Sequence, residues 1–173
     1  RFCQIRGPEL NRILIYFGGN DPDNLTGLVL KALTLTELNH ITLDVVVGPN
    51  NIHLQVLKTL AKKRGQTRVH VQPESFVELL LRADLYIGAG GTTTWERLCL
   101  NLPGIVITTA LNQEAFTAEL ERDGFLHWLG RKQDITAQAI KDATLKHIAK
   151  IKDNKSGELH SYLKARPDIV DAR

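Results

Sequence analysis

The sequence predicts an α/β fold: a Rossmann-like three-layer domain with a mostly parallel sheet of about five to six strands. Three observations carry that expectation. Short apolar runs alternate with helix-like segments along most of the chain. The first two runs are almost continuous Val, Ile and Leu, as in strands covered on both faces. Each polar cluster of interest follows a run, where ligands sit in an open α/β sheet.

The expected strands are Arg12–Phe17, Leu43–Val47, Arg68–Val71, Leu85–Ile87 and Ile105–Thr108. The expected helices are Leu25–Leu38, His53–Lys63, Ser75–Arg82, Thr93–Leu100 and Gln113–Arg122. Residues 134–151 read as one more amphipathic helix that packs back on the sheet. Its stripe is Ile135, Ala139, Ile140, Ala143, Leu145, Ile148 and Ile151. The polar stretch 152–157 reads as a connection to a last short helix, and residues 165–173 as a fraying end.

A chain of 173 residues is in the single-domain range, and residues 1–173 are read as one domain. It contains no methionine and opens on a polar segment, so it reads as a piece of a longer protein. Net charge is +3 with a pI of about 8.9, but the basic residues are scattered, so nucleic acid is not the expected partner. Cys3 and Cys99 make no metal or redox pair, which suits a reducing cytosol, and Cys99 occupies an expected apolar helix position. No run is long enough for a membrane span, no signal peptide is visible, and the histidines show no metal-ligand spacing.

The most informative segment is Leu85-Tyr86-Ile87-Gly88-Ala89-Gly90-Gly91-Thr92-Thr93-Thr94-Trp95-Glu96, in which a strand enters a glycine turn, three threonines and a helix start. Glycines let the backbone approach a ligand, and free amides at a helix N-terminus with threonine hydroxyls donate to oxyanions. No lysine stands at the P-loop spacing. Neutral donors and the helix dipole would therefore hold a diphosphate that is bound and not transferred. Thr93-x-x-Glu96 equally fits a capping box, in which Glu96 only bonds a backbone N–H. The alternative is a carboxylate bridging two ribose hydroxyls. A dinucleotide fingerprint fits less well, because Thr93 stands in place of its third glycine.

Gly18-Gly19-Asn20-Asp21 follows the first strand and is either a turn with an Asx cap at Asp23 or Asn24, or a second close approach to ligand. Gly48-Pro49-Asn50-Asn51 reads more simply as a turn. Asn112 and Gln113 follow the fifth strand, as a helix cap or as groups orienting sugar hydroxyls or a water. No nucleophile elbow is present among the three serines.

Together, Phe17-Gly18-Gly19-Asn20-Asp21-Pro22, Val47-Gly48-Pro49, Ala83-Asp84, Ile87 through Glu96 and Asn112-Gln113 resemble the C-terminal domain of a hydrolase family of pseudaminic acid biosynthesis. Its members are the UDP-2,4-diacetamido-2,4,6-trideoxy-β-L-altropyranose hydrolases, similar in fold to the C-terminal half of GT-B glycosyltransferases. The resemblance runs from about Arg12 to about Gly130. It implies a UDP-sugar ligand, no metal or other cofactor, and a second, N-terminal GT-B-like domain, absent here, that carries the catalytic histidine. It further implies that Gly18, Gly19, Asn20, Gly48, Gly90, Gly91, Thr92, Thr93, Glu96 and Gln113 line the substrate site, with Glu96 at the ribose. Asn112 would help place the water at the anomeric carbon. Two other readings stay open: the donor half of a GT-B glycosyltransferase, and a nucleotide-sugar binding domain without chemistry.

Overall fold

The computed structural model describes residues 9–34 and 36–153. It contains six strands: β1 (Arg12–Tyr16), β2 (Thr42–Val47), β3 (Thr67–Val71), β4 (Leu85–Ala89), β5 (Gly104–Thr108) and β6 (His127–Arg131). All pair in parallel in the order β3-β2-β1-β4-β5-β6. Parallel neighbours require crossovers, supplied by α1 (Leu25–Ala32), α2 (Leu54–Arg64), α3 (Phe76–Arg82), α4 (Thr93–Cys99) and α5 (Glu114–Arg122), after which α6 (Ala137–Asp153) returns across the sheet.

Strand alternation sorts the core into two layers. Ile13, Ile15, Leu43, Val45, Leu85, Ile87, Ile105 and Ile107 face α1, α2 and α6. Leu14, Val46 and Tyr86 face Leu79 and Leu80 of α3, and Val106 faces Leu120 of α5 with Leu98 of α4 alongside. In α6, Ile135 just before it and Ile140, Ala143, Leu145, Ile148 and Ile151 within it reach the first layer.

Five strand positions agree with the sequence reading to within two residues, and the sixth strand is β6. The first helix stops at Ala32 instead of Leu38. Leu33 is its C-cap, the Thr34 hydroxyl donates back to the Leu30 carbonyl at 2.6 Å, and the chain resumes as a 3-10 turn at Thr36–Leu38. Threonine that bonds its own helix in this way competes with continuation. Cys99 is exposed, so it is no core residue. The expected last helix and fraying end lie outside the described residues.

Two polar devices organise the sheet interior. Tyr86, 1% exposed, lays its ring beneath Gly88, and its hydroxyl donates to the Tyr16 carbonyl at 2.9 Å, with the Ala89 carbonyl at 3.3 Å. A Cβ on Gly88 would collide with the Tyr16 carbonyl and the Tyr86 ring, so only glycine fits. Asp44, buried within β2, binds Arg12 Nη1 and His70 Nε2, each at 2.7 Å, and lies 3.5 Å from Arg82 Nε. One carboxylate thus ties β1, β2, β3 and α3. Burial by itself would raise its pKa, but the bonds from His70 and Arg12 and the charges of Arg82 and Arg12 outweigh that and hold it below 3.8.

Tyr86→Phe keeps the ring and removes the hydroxyl's hydrogen bond to the Tyr16 carbonyl. Chemical denaturation should show a loss of about 1–2 kcal/mol; an unchanged midpoint would remove the hydroxyl from any structural role. Because the Asp44 pKa is lowered on folding, its contribution is complete above its unfolded value and lost as pH falls through the lower folded value. Asp44→Asn should cost about 2 kcal/mol at pH 7. The loss should shrink as acid unfolding is approached, and a constant difference from pH 7 to pH 3 would contradict the linkage.

Candidate functional site

The strand order reverses direction between β1 and β4, where Tyr16 is the register partner of Gly88. The chain leaves β1 toward one face and β4 toward the other, which opens a crevice beyond their carboxyl ends. Gly18-Gly19-Asn20 forms one lip and Gly90-Gly91-Thr92-Thr93 the other.

The two lips differ. On the β1 side, Gly18 has a φ of +91° that favours glycine. Gly19 and Gly48 pack backbone to backbone, with the Gly48 N–H donating to the Gly19 carbonyl at 2.8 Å. A Cβ on Gly48 would come within 3.0 Å of Gly19 Cα. Their bareness thus serves contact between two loops. Asn24 is the N-cap of α1, accepting from the Gly27 N–H. The buried Asp21 carboxylate accepts from the N–H groups of Leu25 and Thr26, at 3.0 and 2.8 Å. The chain's own anion therefore occupies that helix end.

On the β4 side no side chain among the described residues fills the helix end in this way. Thr92 is the N-cap of α4 yet makes no side-chain capping bond, and Glu96, exposed on the first turn, has no hydrogen bond or ion pair among the described residues. The capping box is not formed, because the helix begins one residue earlier than the Thr93-x-x-Glu96 pattern requires. The first amides of α4, those of Thr92 and Thr93, lack intrahelical acceptors. The three threonine side chains are not equivalent: Thr92 is exposed, Thr93 is 8% exposed, and Thr94 is 2% exposed with an unpartnered hydroxyl.

Gly90 gives room to Thr117, whose Oγ1 lies 2.8 Å from where a Cβ would stand. At Gly91 the nearest atom to that point is Gln113 Nε2, at 4.0 Å. Gln113 Oε1 accepts from the Thr109 N–H at 2.9 Å, which leaves its NH2 end directed over Gly91. Asn112 is exposed in the 3-10 turn Leu111–Gln113 and caps no helix. Gly90, Gly91, Thr92, Thr93 and Gln113 thus come together, Glu96 lies one turn along, and Asn112 stands at the loop tip. Asn20, also exposed, stays with Gly18, Gly19 and Gly48 on the opposite lip.

Two cations at this end are engaged: Arg131 binds Glu114 at 2.7 Å and Lys132 binds Asp23 at 2.6 Å. His70 is held by Asp44, away from the glycine crevice. Asp84 accepts from the Asn11 and Arg12 N–H groups at the opposite end of the sheet, a purely structural role.

Beside the β1 lip the structure adds residues the sequence reading did not single out. Tyr16, Val46, Gln72, Pro73 and Phe76 join Gly19, Val47 and Gly48 around a cleft of about 220 Å³. The Tyr16 and Phe76 rings lie 4.9 Å apart at 53°. The cleft is smaller than a typical whole-ligand site of roughly 300–1,000 Å³, so it suits one ring of a ligand. The available signal was an aromatic residue directly after the Ser75 cap of α3.

No family model matches the chain. An uncharacterized protein of Methanocaldococcus jannaschii is 32% identical over 126 residues, 70% of this chain and 26% of that protein. The spore coat polysaccharide biosynthesis protein SpsG of Bacillus subtilis is 27% identical over 108 residues, 62% of this chain and 32% of that protein. The chain therefore spans between a quarter and a third of the length of these curated relatives. Among solved structures, Acinetobacter baumannii MurG is similar with a TM-score of 0.65 at 16% identity, over 87% of this chain and 49% of that one. WaaG, a glycosyltransferase involved in lipopolysaccharide biosynthesis, gives 0.58 at 19%, over 95% of this chain and 48% of that one. With its all-parallel sheet, the chain has the Rossmann-like fold of a GT-B glycosyltransferase domain.

Proposed function

We propose that this chain is the UDP-binding half of a nucleotide-sugar hydrolase. The substrate would be a UDP-diacetamido-trideoxy-altrose-type sugar on the way to pseudaminic acid, as the resemblance in residues 12–130 implies. The observation that carries the reading is the unplugged lip at the switch point: bare Gly91 beneath the free amide of Gln113, open amides at Thr92 and Thr93, and an unengaged Glu96. In this reading the diphosphate lies against Gly90–Thr93, stabilised by neutral donors and the α4 dipole as the leaving group departs. Glu96 accepts from the ribose hydroxyls, and the base enters the cleft between Tyr16, Gln72 and Phe76. Gln113 meets the sugar, and Asn112 helps place the water that attacks the anomeric carbon. Asn112 has no basicity near neutral pH, so a second domain would supply the base.

The glycosyltransferase likeness of the fold keeps a second reading, in which the same half binds a donor and an acceptor hydroxyl replaces water. The nucleotide chemistry of this half is shared by both. A Gly-x-Gly-His-like motif in the partner domain would favour hydrolysis.

Calorimetric titration should show UDP bound more tightly than UMP, with a dissociation constant of about 10 μM to 1 mM for a half-cleft; equal affinities would count against the diphosphate assignment. Glu96→Gln should weaken UDP binding about tenfold at unchanged melting temperature, since charge-assisted bonds to ribose are lost while the fold is not touched. Parent-like affinity in that variant would return Glu96 to the solvated surface.

A further inference from the structure

Trp95 is a large side chain left 59% exposed on the first turn of α4. Its ring packs on Phe116, in the first turn of α5, with centroids 4.8 Å apart at 38°. Helical side chains lean toward the helix N-terminus, which directs Trp95 toward the glycine lip. Phe116 belongs to the same helical turn as Thr117, whose hydroxyl packs at Gly90, and follows Gln113, whose amide overhangs Gly91. The aromatic pair is therefore built into the α5 side of the crevice wall, opposite the side where α3 contributes Phe76 to the small cleft.

We propose that Trp95, backed by Phe116, is the platform for the sugar ring of the nucleotide-sugar, stacking on the apolar C–H face of a hexopyranose while Gln113 Nε2 donates to a polar substituent at its edge. This rests on the nucleotide reading of the crevice. The border of the indole on α4 favours a sugar over a protein partner. On the outward face of α4 the exposed neighbours of Trp95 are Thr92, Glu96 and Cys99, so two polar side chains flank the indole within one turn. Protein interfaces instead centre on larger apolar patches. A pyranose presents the matching chemistry, a flat apolar face edged by hydrogen-bonding groups. The Phe116 contact also fixes the indole, so little rotamer freedom is lost on stacking.

The test uses the full chain with UDP, UDP-N-acetylglucosamine and free N-acetylglucosamine, read by calorimetry and tryptophan fluorescence. UDP-N-acetylglucosamine should shift the emission of the parent and UDP alone should not. Trp95→Ala should weaken UDP-N-acetylglucosamine about three- to tenfold and UDP by less than about twofold, and Trp95→Phe should restore most of the difference. Equal effects of Trp95→Ala on both nucleotides, or none on either, would overturn the platform and leave the nucleotide reading standing. If UDP fails to bind the parent, that reading falls. A Trp95-dependent response to free N-acetylglucosamine at about 50 mM would then keep the platform, and its absence would remove it too.

Discussion

The crevice depends on one hydroxyl. Tyr86 runs beneath Gly88 and donates to the last carbonyl of β1 while lying against that of β4, so the two strands whose divergence makes the opening are pinned at the point of divergence. Burial pushes the phenol pKa well up, which keeps it neutral and a donor at any physiological pH. The requirement for glycine at position 88 follows from the space the ring occupies. Tyr86 is thus a packing residue whose polar tip sets functional geometry, and its place in an apolar run conceals that role.

The same helix that begins at the glycine lip is secured at its other end. Arg97, fully buried, donates through Nη1 to the carbonyls of Leu102 and Phe125, and its stem fills the space beside Gly104, where a Cβ would stand 3.0 Å from the guanidinium. Burial pulls its pKa down to about 10, partly offset by Tyr86, and it stays charged at neutral pH. A seven-residue helix has little stability of its own. Anchored at its C-terminal end by Arg97 and against α5 through Trp95 and Phe116, α4 can hold its first amides in a fixed direction.

Strands β1 to β5 were legible because continuous Val, Ile and Leu are required where both sheet faces are covered. Strand β6 was not: His127-Trp128-Leu129-Gly130-Arg131 is a half-exposed edge, its register with β5 shifts at Val106/Ile107, and Gly130 has a φ of +133°. The glycine lip could be found from residue types, but its hydrogen bonding could not. A capping box is a spacing rule, and a one-residue change in where the helix begins leaves Glu96 without a backbone partner. The Asp21 bonds were hidden for a related reason, since they depend on a residue held at a φ of 38° before a cap that is itself left-handed. The aromatic contacts of Tyr16 with Phe76, and of Trp95 with Phe116, join residues far apart in sequence and belong to tertiary structure alone.

Asp21 gives the opening a polarity. Its carboxylate bonds the first amides of α1 on one wall, while on the other wall no side chain among the described residues bonds the first amides of α4, Glu96 standing one turn along. An elongated ligand with a negative middle therefore meets one wall whose amides are already taken and one whose amides are open, which favours one of its two lateral placements. The fold thus sorts orientation before any base or sugar is read, much as a keyed connector admits its plug one way round.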